Sequence, residues 1–145
     1  MKKIKLISLA LALALASCTQ TENKNSITPD IYGAWQLESK NIEGINQPLQ
    51  TCETQNTMQF AADGSYLRSK YSEGEEGCQL ENMTDTEREF TFDGEILVME
   101  YEDISQGHIQ ETGLVTNLTE TSFDLSIEFD DDDAGYLTYH FVKID

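Results

Sequence analysis

Four consecutive aspartates are the part of the sequence whose chemistry is most suited to a metal ion, because carboxylate oxygens are ligands for Ca²⁺. An EF-hand loop needs a glutamate at its twelfth position, and counting from Asp130 that position is Phe141, which excludes an EF-hand. Two interpretations remain, a looser cation site and an acidic turn that is simply solvated. The candidate ligands are Asp130, Asp131, Asp132 and Asp133.

The sequence contains no recognisable arrangement of catalytic residues. The two histidines are His108 and His140, and we expect the first near the end of a strand and the second on the outer face of the last strand. Neither has a Cys or Ser nucleophile as a partner, and no Gly-rich phosphate loop is present. The abundance of carboxylates is no evidence for an acid–base pair. We therefore expect a protein that is not an enzyme and needs no cofactor.

The first 17 residues have the pattern of a secretory signal peptide. Basic residues within 2–5 precede an apolar run over 6–16, which is too short to span a membrane. The motif Leu-Ala-Ser-Cys that ends at Cys18 resembles the lipobox of bacterial lipoproteins. The resemblance implies that Cys18 is lipidated and anchors the mature protein in the cell envelope of a Gram-negative bacterium. Because Thr19 stands where an Asp often signals inner-membrane retention, we expect the outer membrane.

Two cysteines remain once Cys18 carries the lipid. In a protein exported across the inner membrane, an even number of remaining cysteines indicates a disulfide, here between Cys52 and Cys78. The bridge would close a loop of about 27 residues and stabilise the domain by about 3.5 kcal/mol. Residues 18–30 are then the lipidated cysteine with a polar, flexible tether, and one domain spans 31–145.

The charge balance restricts the partners. The net charge of the 145-residue chain is −18, and removal of residues 1–17, which hold three lysines and no acid, makes it −21. Such an excess of acid excludes nucleic acid, which is bound through Lys and Arg. A soluble acidic surface, a basic protein partner and cations at the acidic loops remain as interpretations. We expect a monomer.

Alternating apolar and polar residues between tight turns predict an all-β domain. Asp63-Gly64 and Asp93-Gly94 are hairpin turns, and Thr119-Glu120 is a third. Sequential strands joined by hairpins favour a small up-and-down antiparallel barrel, because closure removes exposed edges. The eight predicted strands are residues 33–39, 57–61, 65–71, 90–92, 95–102, 109–118, 123–129 and 136–144.

The start of the predicted barrel resembles the lipocalin-like domains of bacterial lipoproteins. A short turn and then Gly-Ala-Trp at residues 33–35 is similar to the segment that opens the first lipocalin strand, and the Asp63-Gly64 hairpin between two cysteines is similar as well. Lipocalins carry an arginine near the last strand that packs over this tryptophan, where the present chain has Lys143. The resemblance covers 31–145 and implies an eight-stranded barrel that binds a small ligand.

Links between the strands of such a barrel alternate between its two ends. The three tight turns fall at one end together with the tether, and we call it the closed end. The links 42–56, 72–86, 103–108 and 130–135 fall at the other, the open end, where the disulfide would join the first two. Because many acids lie in these links, we expect an acidic mouth, formed by Glu73, Glu75, Glu76, Glu81, Asp85, Asp103 and the aspartates 130–133.

Large side chains at the inward positions are the candidate ligand contacts. An eight-stranded barrel is just wide enough to be filled by side chains or to hold one small ligand. Two functions follow: an anchored binding lipoprotein that takes a small apolar or cationic ligand at its mouth, and a filled barrel that engages or inhibits a protein through its acidic loops. A cavity of a few hundred Å³ would favour the first. The candidate contacts are Trp35, Phe60, Phe90, Phe92, Met99, Phe123, Phe129 and Phe141, with Ile127 also inward.

Overall fold

A computed structural model describes residues 30–81, 88–103, 105–129 and 135–144, and gives no side-chain placement for Phe129. The predicted signal peptide, the predicted lipidation site Cys18 and the aspartates 130–133 lie outside the described residues. In the described part of the chain, no helix is long and apolar enough to cross a membrane.

The described residues form β-strands and one short 3-10 turn. Most of the strands show the two-residue alternation of burial that the sequence pattern predicts, for example the buried Leu97 and Met99 on either side of a less buried Val98. The elements are β1 (Gly33–Ile42), β2 (Ile45–Gln47), the 3-10 turn η1 (Glu53–Gln55), β3 (Thr57–Phe60), β4 (Tyr66–Ser69), β5 (Tyr71–Gly74), β6 (Gly77–Leu80), β7 (Arg88–Phe92), β8 (Ile96–Asp103), β9 (Gly107–Thr116), β10 (Ser122–Phe129) and β11 (Gly135–Ile144).

Eight of these strands form a nearly closed antiparallel barrel in the order β4-β3-β1-β11-β10-β9-β8-β7. The first and last strands of the domain are neighbours, with Ala34 opposite Ile144. The strands β4 and β7 approach at a bridge between Ser65 and Glu89, which brings the two ends of the sheet together. The predicted all-β class and the eight-stranded up-and-down barrel are confirmed.

The links at the open end are more folded than the sequence analysis predicts. The first contains β2, which pairs with β1, and η1. The second contains the hairpin of β5 and β6. The third was predicted as a long link over 103–108, and this is wrong: β8 and β9 pair as far as Asp103 opposite Gly107, so the connection between them is short. The reason is that Asp103 Oδ1 accepts hydrogen bonds from the backbone N–H groups of Ser105 (2.8 Å) and Gln106 (3.0 Å).

Aromatic side chains form the core of the half of the barrel nearest the closed end. Trp35 is fully buried, and its ring meets that of Phe123 edge-on at 4.9 Å between centroids. Phe60 and Phe90 are 4.8 Å apart, and Phe141 stacks on Phe123 at 5.1 Å. Aromatic pairs of this kind stabilise by about 0.5–1.5 kcal/mol beyond the area they bury. This half of the barrel is therefore filled by its own side chains.

Candidate ligand-binding site

A cavity of about 310 Å³ lies in the other half of the barrel, at the open end. Pockets for small molecules have volumes of about 300–1,000 Å³, so this one suits a small ligand. Its wall includes the half-buried Ile127 and Tyr139. Its floor is made of side chains that are at least 95% buried: Leu37, Met58, Met99, Leu125 and Phe141.

The position of Leu125 on this floor depends on a glycine in the adjacent strand. Gly113 on β9 lies opposite Ile127 on β10. A Cβ atom at Gly113 would be 2.5 Å from Leu125 Cδ1 and 3.2 Å from the carbonyl oxygen of Ser126. The leucine side chain therefore lies in the space that the missing side chain leaves, and this placement shapes the floor.

The predicted disulfide is present and covers the cavity. Cys52 and Cys78 are bonded, with their Cα atoms 5.3 Å apart. Cys52 lies directly before η1 and lines the cavity, and Cys78 belongs to β6. The bond thus holds the β5–β6 hairpin against η1, which joins the first two links of the open end as predicted.

A half-buried ion pair between Lys40 and Glu53 holds η1 to the barrel wall. Lys40 Nζ lies 2.7 Å from both carboxylate oxygens of Glu53, and the backbone N–H of Gln50 donates to the same carboxylate at 2.7 Å. Burial alone would raise the pKa of Glu53, but the hydrogen bonds from Lys40 and Gln50 outweigh it and hold that pKa below its ordinary value. The carboxylate is therefore charged at neutral pH and fully engaged.

A second polar cluster spans the interior between β4, β7, β8 and β9. Arg68 Nη1 donates to Glu111 Oε2 at 2.8 Å, and the Tyr101 hydroxyl donates to Glu111 Oε1 at 3.0 Å. The guanidinium carbon of Arg88 lies 5.9 Å from the ring centroid of Tyr66 and 5.6 Å from that of Tyr101. Burial raises the pKa of Tyr66 to about 12, so its hydroxyl stays protonated.

Lys70 is the second basic residue of the cavity wall, beside Arg68. It is half-buried between β4 and β5 and lines the cavity. The positive charge of Arg68, followed by burial, lowers the pKa of its ammonium group, and the carboxylates of Glu111 and Glu81 oppose this shift only in part. Within the residues that the structure describes, that group makes no hydrogen bond or ion pair. Two acids, Glu73 and Glu81, lie at the outer edge of the cavity, where they are exposed.

The structure distributes the predicted ligand contacts over both halves of the barrel. Met99 and Phe141 line the cavity, as does Ile127. Phe92 is half-buried against the core, and the side chain of Phe129 is outside the description. The remaining four are buried without lining the cavity: Trp35, Phe60, Phe90 and Phe123.

The sequence analysis missed the basic residues of the site. Arg68 and Lys70 were not among the candidates because only large apolar side chains at inward positions were considered as ligand contacts. The available signal was the two-residue alternation: Tyr66 is inward, so Arg68 on the same strand had to be inward as well. Leu125 and Tyr139 were missed although they share the inward faces of Phe123 and Phe141.

The two histidines lie outside the cavity, each beside a carboxylate. His140 is on the outer face as predicted, with Nδ1 2.6 Å from Asp124 Oδ1 and Nε2 3.5 Å from Glu38 Oε2. His108 is exposed at the β8–β9 hairpin, 3.2 Å from Glu102. Among the described residues, no group of three or more His, Cys, Asp or Glu side chains is placed to hold a metal ion.

The comparisons with known proteins agree with the barrel. The family model of a lipocalin-like domain matches residues 31–125, more than half of the chain. No curated protein and no solved structure matches it. The matched range contains the Gly-Ala-Trp segment, both cysteines of the disulfide and the cavity-floor residue Leu125. The family is generally a non-enzymatic binding fold. The chain belongs to the family of lipocalin-like domains.

Proposed function

We propose that this chain is a membrane-anchored lipocalin-like protein that binds a small ligand in the cavity at the open end of its barrel. The observation that carries the proposal is the cavity of about 310 Å³, which has a buried apolar floor and a half-buried polar wall. The mouth of a β-barrel is a common place for such a site. A barrel filled throughout would have favoured the alternative, in which the acidic loops engage a protein.

The floor supplies the affinity and the wall supplies the orientation. Apolar surface removed from water gains about 25 cal/mol per Å², so a ligand that buries about 200 Å² on the floor gains about 5 kcal/mol. Part of that gain is offset by the lost freedom of the ligand. The few polar groups of the wall then fix how the ligand lies, as in most small-molecule sites.

The anchor is the second element of the proposal. It is supported by the signal-peptide pattern of residues 1–17 and by the lipobox-like motif that ends at Cys18. The first strand begins at Gly33, at the closed end, so an anchored barrel would present its cavity away from the membrane. Mass spectrometry of the protein from the membrane fraction tests this point. We expect a chain that begins at Cys18 and carries acyl groups, and an unprocessed, unacylated chain would contradict it.

Native mass spectrometry of the protein purified gently from its own host tests ligand binding. We expect a bound species of a few hundred daltons. Replacing Ile127, on the cavity wall, by Trp should remove this species by filling the space. The matched control is Ile96→Trp, because Ile96 is 37% exposed and does not line the cavity. Retention of the species by Ile127→Trp, or its loss from both variants with the barrel still folded, would contradict binding in the cavity.

A further inference from the structure

Most of the described basic side chains of this acidic protein lie in one half of the barrel. The net charge of the chain is −18, and the described residues contain five Lys and Arg side chains. One of them, Lys143, is near the closed end. The other four lie in the open half of the barrel, and two of them, Arg68 and Lys70, line the cavity: Lys40, Arg68, Lys70 and Arg88.

Strand register shows that three of these cations are directed inward. Residues directly opposite each other in an antiparallel pair share one face of the sheet. Arg68 is opposite Met58, which is 3% exposed and lies on the cavity floor. Lys40 is opposite Tyr139 of the cavity wall. Arg88 is itself 9% exposed and lies over two tyrosine rings.

Two of these cations are paired with acids inside the barrel. Glu53 is engaged by Lys40, and Glu111 is engaged by Arg68, each at 2.7–2.8 Å. Lys70 has no such partner among the described residues. The other acids of the cavity, Glu73 and Glu81, are exposed at its outer edge, where water and salt screen them. The cavity wall therefore holds one half-buried ammonium group, that of Lys70, which no described acid engages through a hydrogen bond or an ion pair.

An ammonium group in this position has an energetic cost that a ligand can offset. A half-buried ammonium without a partner loses hydration and gains no hydrogen bond in return. The neighbouring charge of Arg68 adds repulsion, which agrees with the lowered pKa of Lys70. An anion placed between the two would form charge-assisted hydrogen bonds, which are about twice as strong as neutral ones.

We propose that the ligand of this cavity carries one anionic group, bound by Arg68 and Lys70, on an apolar body that packs against Met99, Leu125 and Phe141. This inference rests on the proposed function and narrows its ligand class. It differs from the apolar or cationic ligand that the acidic loops led us to expect from the sequence. The loops set the charge of the surface, and the cavity wall sets the charge that the ligand must have.

Calorimetric titration of the purified protein with three probes of the same chain length tests the inference. At pH 7 octanoate is an anion, octanol is neutral and octylamine is a cation. A hydrogen bond to a charged group contributes about 1.5–3 kcal/mol, so octanoate should bind at least about tenfold more tightly than octanol. Octylamine should bind most weakly.

Charge variants locate the effect. Lys70→Gln should weaken the binding of octanoate about tenfold, since one charged hydrogen bond is lost. The affinity for octanol should change less than about twofold. Lys70→Arg should retain the preference. The matched control is Lys143→Gln, which removes a charge outside the cavity and should leave the affinities of both probes unchanged. Thermal unfolding confirms that each variant is folded.

The outcomes separate the inference from the function on which it rests. Equal binding of all three probes, abolished by Ile127→Trp, would overturn the anionic preference and leave the binding function intact. Tightest binding of octylamine would also overturn it and favour a cationic ligand. Absence of binding by every probe, together with no bound species in native mass spectrometry, would overturn both proposals.

Discussion

The ammonium group of Lys143, on the last strand, lies 5.0 Å from the centroid of the Trp35 ring, on the first strand. Its Nζ donates to the carbonyl oxygen of Tyr32 at 3.1 Å, and its Cε atom lies 2.8 Å from the place that a Cβ of Gly33 would occupy. The cation that packs over this tryptophan as an arginine in lipocalins is thus a lysine here. It ties the start of the barrel to its last strand.

The first prediction concerns this contact. Lys143→Ala should lower the free energy of unfolding by about 1 kcal/mol, because a cation–π contact contributes about 0.5–1 kcal/mol at an exposed site and the Tyr32 hydrogen bond is lost as well. Lys143→Arg should stay close to the wild type. Trp35 is the single tryptophan, so its fluorescence follows urea unfolding directly. Equal stability of the Ala variant and the wild type would show that the contact is energetically neutral.

The second prediction concerns the glycine beneath Lys143. Gly33 has φ +123°, a conformation that L-residues rarely adopt. Gly33→Ala should destabilise the barrel by about 2 kcal/mol, mostly through backbone strain. Combining it with Lys143→Ala relieves only the crowding with Cε, so most of the strain cost should persist. Full relief in the double variant, measured by urea unfolding, would assign the cost to crowding instead.

The third prediction concerns the disulfide. Cys52 and Cys78 are 26 positions apart, and closing a loop of this size stabilises by about 3.5 kcal/mol on the chain-entropy estimate. Reduction should lower the thermal midpoint and should also weaken ligand binding, because the β5–β6 hairpin is no longer held over the cavity. The Cys52→Ala/Cys78→Ala double variant is the control, since reductant should not affect it. Unchanged ligand binding after reduction would mean that the hairpin is dispensable for the site.

The fourth prediction concerns acid pH. The pKa of Asp93 lies below its ordinary value because the backbone N–H groups of Ile96 and Glu95 donate to its carboxylate. A carboxyl whose pKa is lower in the folded state stabilises above its unfolded pKa, about 4, and this contribution is lost as pH falls through the folded value. The hydrogen-bonded turn carboxylates of Asp63 and Asp103 have lowered pKa values as well.

Asp93→Asn isolates this effect. The amide keeps an acceptor oxygen but no longer titrates, so the difference in thermal midpoint between wild type and variant should shrink as pH falls from 5 to 2. Scanning thermal unfolding over this range measures it. A difference that stays constant with pH would mean that the turn hydrogen bonds do not depend on the charge.

Much of the fold was predictable because the local alternation of apolar and polar residues and the closure of the barrel favour the same arrangement of strands. The alternation from Phe123 to Ile127 and the Asp-Gly turns predicted the strands, and the even remainder of cysteines predicted the disulfide. The β5–β6 hairpin was not predicted, because Tyr71 to Leu80 has no apolar alternation and is held by the bond to Cys52.

The site was less predictable than the fold. Whether the interior is filled depends on tertiary packing, here the placement of Leu125 over Gly113, which no strand pattern reveals. The basic wall was missed for a different reason. A charge at an inward position contradicts the usual burial rule, and Arg68 is accommodated there only because Glu111, from a distant strand, pairs with it.

The central claim is that a small ligand enters the open half of the barrel. The most direct measurement is an amide NMR titration of the isotope-labelled protein with octanoate. The account predicts saturable shifts at Ser69, Leu125 and Tyr139, which line the cavity, and little change at Trp35 in the filled half. Shifts confined to the outer face around His140, or to the closed end, would contradict it.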